Sequence, residues 1–219
     1  MIGDGLPIVV ALLISGIGGY LLGSAPFGLL LTRFAGLGDI RDIGSGNIGA
    51  TNVLRTGRKD LAAATLILDS GKGAIAVFLA RMAGLPIEAA GAAAFLGHCY
   101  PVWLGFNGGK GVATYLGTVL ALSPLAGVAA CIVWLMGAGL TRISSLAALA
   151  ATAATPLIMF SMGAVSGAIA AVLMTTLVHV RHKDNVKRLI AGTEPMIGNK
   201  SPALSKQQSA STQTPRRTS

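Results

Sequence analysis

A polytopic, all-α membrane protein is the fold class this sequence predicts, and two observations carry the prediction. Of its 219 residues 53% are hydrophobic and only 11% charged, where a soluble domain carries about a quarter charged residues. The apolar residues also run in blocks, at 5–31, 61–82, 87–104, 111–122, 124–140, 145–160 and 163–180. A helix needs about 20 residues to cross the hydrocarbon core, so seven spans are expected, the fourth of them short.

Each element follows from its punctuation. The first block has no basic residue before it and no small-residue cleavage site after it, so it reads as a span and not as a removable signal. Leu85-Pro86, Ser123-Pro124, Thr141 to Ser144 and Ser161-Met162-Gly163 separate the later blocks. Cys99 and Cys131 both lie in apolar surroundings, with neither a disulfide framework nor a metal-ligand spacing around them. A membrane domain over residues 1–199 is expected, followed by a Ser-, Gln- and Thr-rich tail over 200–219 that reads as disordered.

Charge sets the expected orientation. Of the 17 basic residues, Lys72 falls inside a span and only Arg81 on the side opposite the rest. The positive-inside bias then puts the N-terminus outside and the C-terminus in the cytoplasm. The formal charge of +9 is partly explained by this topology and by anionic headgroups, and needs no nucleic-acid partner. Topology does not explain the Gly, Asn, Ser and His residues gathered on the same side.

Three clusters stand there. Gly44, Ser45, Gly46, Asn47, Gly49, Thr51, Asn52 and Arg55 lie between spans one and two. Glycines alternating with hydrogen-bonding residues let backbone amides converge on an anion, with Arg55 as its counter-charge. Gly97-His98 and Gly108-Gly109-Lys110-Gly111 come next, glycines ahead of a helix that offer free amides, a dipole end and a cation. The spacing matches neither a dinucleotide fingerprint nor a P-loop. The third runs from His179 to Arg188, with His182 and Asn185 three apart on one helical face. Inside span two, Asp69 and Lys72 are also three apart; such a pair must turn away from lipid, as a structural ion pair or as support for a site. His179 and Asp184 have an H-x4-D spacing that reads as coincidence in this motif context.

At these clusters the sequence resembles the acyl-phosphate-dependent glycerol-3-phosphate acyltransferase family of bacterial inner membranes. The resemblance spans Gly23-Ser24 and Phe27, GSGNIGATNVLR at 44–55, GH at 97–98, GGKGVAT at 108–114 and RH-x2-N-x2-RL from 181, ending near Glu194. It implies transfer of a fatty acyl group from acyl-phosphate to the 1-hydroxyl of glycerol 3-phosphate, with no cofactor or metal. By motif, Gly44, Ser45, Gly46 and Gly49 are expected to hold acyl-phosphate, with Asn47, Thr51, Asn52 and Arg55 nearby. Gly108, Gly109, Lys110, Ser145, His182, Asn185 and Arg188 are expected around glycerol 3-phosphate. Ser45, Arg55, Asn185 and His98 are the candidate catalytic residues, His98 as general base if one is used. Proton uptake by the phosphate itself is the alternative. Oligomeric state is not legible, and a monomer is compatible with the sequence. A transporter for organic anions or phosphate is the competing class, because helix breaks and intramembrane charge also mark transport pathways.

Overall fold

The computed structural model describes residues 5–198, and every regular element in that range is helical. The expected tail, and the end of the expected membrane domain at residue 199, lie outside the described residues. The first block forms two helices, α1 (Ile8–Gly23) and α2 (Phe27–Phe34). Pro26 breaks them, since it donates no hydrogen bond and disfavours helix at the residue before it. A short α3 (Ala50–Val53) leads to α4 (Lys59–Ala83), which ends at Gly84 with φ +70°.

After α4 come α5 (Ile87–Cys99), α6 (Val112–Leu122), α7 (Pro124–Thr141), α8 (Ser144–Ser161), α9 (Val165–Arg181) and α10 (Lys183–Ile190). Pro124 opens α7 at a position where a missing donor costs nothing. Pro156 lies inside α8 and leaves the Thr152 carbonyl without its helical donor; Thr175 Oγ1 of α9 supplies one at 2.8 Å.

The expected count of seven spans is not reached on length and composition. Four helical stretches are long and apolar enough to cross: Ile8–Phe34, Lys59–Ala83, Pro124–Thr141 and Ser144–Ser161. A fifth is reached if α9 and α10, bent by 59° at His182, count as one. The expected third span ends early, as α5 stops at Cys99, and α6 has 11 residues. The expected block 87–104 ran on because Val102, Trp103 and Leu104 continue it in apolar residues, but after Pro101 they form only a short 3-10 turn.

Packing is inverted relative to a soluble core. Large apolar side chains face outward, Leu140 at 83% and Leu125 at 75% exposed, whereas the interior is rich in Ala, Gly, Ser and Thr. That arrangement suits a lipid surround, where close helix approach through small residues replaces the hydrophobic drive. Along α1, Ala11, Ser15, Gly19 and Gly23 form one buried face, and Gly19 and Gly23 rest on the Ala90 and Ala94 backbone of α5. Larger residues pack centrally around Phe95, Tyr115, Met159 and Val178, joining α5, α6, α8 and α9. The chain is a multi-pass helical membrane protein.

The segments between helices converge at one end. Thr51 Oγ1 lies 3.2 Å from Ser144 Oγ, the Ile197 amide donates to the Arg142 carbonyl at 2.7 Å, and Arg181 reaches Gly108 and Gly109. Arg81 sits at the opposite end of α4, donating to the Ala121 carbonyl at 2.9 Å.

The tightest crossing generates a prediction. A Cβ on Gly97 would run into the Tyr20 carbonyl and lie 2.8 Å from the Ser24 amide, so α5 sits this close to α1 because residue 97, like Gly19 and Gly23, has none. Gly97→Val should destabilise the fold by about 1–3 kcal/mol, the usual cost of overpacking, read as a lowered thermal midpoint in detergent. An unchanged midpoint would show that α1 and α5 separate freely.

Candidate functional site

The segment 40–55 is built around one side chain. Asn52 is 2% exposed, and its Nδ2 donates to the carbonyls of Ile40 (3.0 Å), Ile43 (2.9 Å) and Asn47 (2.8 Å). Its Oδ1 accepts from the Ser45 amide at 3.1 Å and the Ser45 hydroxyl at 3.3 Å. The amide of Asn52 is therefore spent on the loop, and the Ser45 N–H is not free for an anion. Gly44 and Gly46 adopt φ of +58° and +68°, the left-handed backbone that lets the chain wrap Asn52. Asp39 secures the approach through Arg33 (2.8 Å) and Arg41 (2.6 Å), which hold its carboxyl well below the usual range. Ser45, Thr51 and Arg55 remain facing the cavity.

The glycine segment after α5 differs from expectation in one respect. The Gly108 and Gly109 amides fold back onto the Cys99 and His98 carbonyls, at 3.2 and 3.1 Å, so they are not the free donors. Those are the first-turn amides of α6, where Val112 and Ala113 line the cavity and the helix dipole favours negative charge. Arg181 latches the segment, donating to Gly108 O at 2.8 Å and Gly109 O at 3.2 Å while stacking 5.1 Å from the Tyr100 ring.

Glu194 closes the third side. It accepts from Ser145 Oγ at 2.7 Å, Asn185 Nδ2 at 2.5 Å and Arg188 Nε at 2.7 Å, and Asn185 Oδ1 in turn accepts from the Lys110 ammonium. Burial acts to raise the Glu194 carboxyl, but these donors more than reverse it and keep it ionised. Sequence reasoning passed Glu194 by as the end of a motif. The signal was there, because it is the lone acid following a strongly basic run. Burial lowers Arg55 and pushes Lys110 down to about 8.

His182 is a different kind of group. Burial pushes it down to about 4, so it is neutral at physiological pH. Its Nδ1 lies 2.8 Å from the Val178 carbonyl, which can only accept, so Nδ1 carries the proton and Nε2 is left as an acceptor. His179 and Asp184 form no pair of their own: the His179 ring bonds the Thr175 carbonyl at 2.9 Å, and Asp184 lies 3.7 Å from Lys187.

These pieces enclose one cavity of about 600 Å³. Gly44, Ser45, Asn47, Gly49, Thr51, Asn52, Arg55, His98, Lys110, Ser145, His182, Asn185 and Arg188 all line it. Gly46 and Gly108 line a smaller adjoining space of about 340 Å³, shared with Ser45, Asn47 and Lys110, while Gly109 is buried against the His98 ring. From the polar head an apolar arm runs between α4, α6 and α7, past Leu66, Leu116, Leu120, Trp134 and Leu135.

A multi-pass membrane protein with a cationic head and an apolar arm in one cavity is the class that fold and site define. The glycerol-3-phosphate acyltransferase family model matches residues 13–192. A glycerol-3-phosphate acyltransferase of Jannaschia sp. (strain CCS1) is 55% identical over 83% of this chain and 91% of its own length. One from Cereibacter sphaeroides (strain ATCC 17029 / ATH 2.4.9) is 58% identical over 87% of this chain and 96% of its own. A crystal structure of PlsY (YgiH), an integral membrane glycerol 3-phosphate acyltransferase in its glycerol 3-phosphate form, superposes with a TM-score of 0.80 at 39% identity, covering 85% of this chain and 96% of that one. Its lysophosphatidic acid form gives a TM-score of 0.78 at 38% identity, covering 84% and 94%. The chain belongs to the glycerol-3-phosphate acyltransferase family, and it is an acyltransferase.

The position of Lys110 fixes a pH dependence. Its ammonium is charged below about pH 8 and lost above it, so affinity for inorganic phosphate should fall as pH rises through that range. Lys110→Arg, which keeps its charge, should remove this step in a phosphate titration followed by calorimetry. A wild-type step that persists unchanged in Lys110→Arg would assign the titration elsewhere.

Proposed function

We propose that the protein transfers a fatty acyl group from acyl-phosphate to the 1-hydroxyl of sn-glycerol 3-phosphate, releasing lysophosphatidic acid and inorganic phosphate. The observation that carries this reading is the single cavity in which a cationic, hydrogen-bonding head continues into an apolar arm. A phosphate monoester alone needs no apolar arm, and a lipid tail needs no cluster of Arg55, Lys110 and Arg188. The two forms of the PlsY relative, with glycerol 3-phosphate and with lysophosphatidic acid, support the same acceptor and product here.

In this reading the segment Gly44 to Gly49, with Ser45 and Arg55, holds the phosphate of the acyl donor, whose chain lies along Leu116 and Leu120. Thr51 and the backbone beside Asn47 border it, and Asn52 holds the segment in shape. Lys110, Ser145, Asn185 and Arg188 hold glycerol 3-phosphate. The neutral His182, with Nε2 as acceptor, suits its hydroxyl and not its phosphate. The hydroxyl oxygen attacks the acyl carbon, the bond from that carbon to the phosphate oxygen breaks, and the proton passes to the departing phosphate. Acyl-phosphate is an activated anhydride, so positioning and neutralisation of the leaving charge supply most of the acceleration. His98 has its Nε2 turned toward Gly109, which supports proton uptake by phosphate over a histidine base.

The basic end of the bundle is assigned to the cytoplasmic face of the bacterial inner membrane, with the N-terminus outside, since among the described residues every Lys and Arg except Lys72 and Arg81 belongs to segments at that end. Transport would call for a site near the midplane reachable from both faces, and the polar groups here gather at one end.

The purified protein in lipid, given palmitoyl-phosphate, should release phosphate and form lysophosphatidic acid only when glycerol 3-phosphate is present. Arg55→Ala should lower the rate by about 10²–10³-fold, the range for losing one charge-stabilising donor. Phosphate release independent of glycerol 3-phosphate, or an Arg55→Ala variant as active as wild type, would sink the reaction or the anion site respectively.

A further inference from the structure

Of the two buried charges of α4, Asp69 borders the cavity, as His98 does, and Lys72 does not. Asp69 and Lys72 side chains are each 2% exposed, with Lys72 Nζ 2.9 Å from Asp69 Oδ1. Lys72 also donates to the Ala25 carbonyl at 2.9 Å and lies 5.8 Å from the Phe27 ring centre, so it spans the break between α1 and α2. On the other side, Asp69 Oδ1 is 3.5 Å from His98 Nδ1 on α5. Neither of those two atoms has a well-directed hydrogen bond among the described residues. The contact therefore works through packing. The opposite nitrogen of the ring, Nε2, abuts Gly109, where even a Cβ would collide with it. Gly109 is followed by Lys110, whose ammonium meets Asn185.

A chain of contacts thus runs from the α1–α2 break, through the ion pair and the His98 ring, to the segment that carries Lys110. An ion pair at this depth contributes little net stability, because desolvation offsets the attraction, and a neutral replacement of similar volume is often tolerated. We propose that Asp69 and Lys72 are positioning residues: together they fix the helix break and the His98 ring so that the Gly108–Gly111 segment presents Lys110 at one place in the cavity. The consequence for catalysis rests on the reading of Lys110 as a glycerol 3-phosphate ligand; the consequence for the segment does not. A shift of about 1 Å in a substrate-holding group is enough to cost of order a hundredfold in rate.

The test is the double variant Asp69→Asn/Lys72→Met, neutral and close in volume to wild type, purified in lipid. Its thermal midpoint should stay near that of wild type. Amide exchange at residues 105–111, where the Gly108 and Gly109 N–H groups bond to α5, should accelerate by about tenfold, while the α7–α8 junction is unaffected. The KM for glycerol 3-phosphate should rise by about tenfold or more with a smaller change in kcat. Should the double variant fail to fold, His98→Asn breaks the same path while leaving the ion pair intact, and the same exchange and KM changes are expected. Exchange at 105–111 as slow as wild type in a folded variant overturns the proposal, as does an unchanged KM in an active one. A wild type that makes no lysophosphatidic acid, beside a double variant with a loosened segment, would refute the acyl-transfer reading and leave the positioning role standing.

Discussion

In a hydrocarbon medium each backbone carbonyl or amide without a partner costs several kcal/mol, and most of this structure follows from that constraint. Helices satisfy it along their length, so the problem moves to wherever a helix stops. One solution recurs at several breaks: a side chain brings a donor to the freed carbonyl. Lys72 serves Ala25 at the α1–α2 break, Thr175 serves Thr152 below Pro156, Arg81 serves Ala121 at the end of α6, and Arg181 serves Gly108 and Gly109. Asn52 does the same for three carbonyls of the 40–47 segment.

The same economy ties fold to site. Residues that satisfy stray carbonyls at the basic end also hold the segments that line the cavity, so the polar machinery of folding and of binding is continuous. Asn52 illustrates this: its motif position suggests a ligand, yet its amide is consumed in shaping the loop that presents Ser45 and Arg55. Close helix approach makes such sharing possible. Gly19, Gly23 and Gly97 bring α1 and α5 into backbone contact, which aligns the α1–α2 break with the end of α5 that carries His98.

Charge balance at the cavity head is deliberately incomplete. Arg55, Lys110 and Arg188 share the cavity with two carboxylates: Asp69, which is paired with Lys72, and Glu194, whose oxygens are already occupied by Ser145, Asn185 and Arg188. Glu194 organises the donors without neutralising them, and the surplus positive charge remains for an anion. Burial sharpens this by lowering the effective dielectric, at the cost of drawing Lys110 down to about 8 and His182 to about 4. Within one pocket the two groups thereby take different characters, a cation and a neutral acceptor.

The sequence by itself determined the helical membrane class, the breaks at Pro86 and Pro124, the polarity of one end and the three clusters that line the cavity, because all of these are written in local composition and spacing. The adjacency of Asp69 and Lys72 was also legible, being one helical turn. Tertiary structure alone decided where the third apolar block stops being helical, with α5 ending at Cys99 ahead of Pro101. It alone decided that Asn52, Gly108 and Gly109 spend their polar groups internally, and that Glu194, while holding Asn185, also meets Ser145 49 residues away. Hydropathy records what a residue can tolerate around it. Which partner it meets depends on how closely the helices pack, and that is set by contacts distant in the chain.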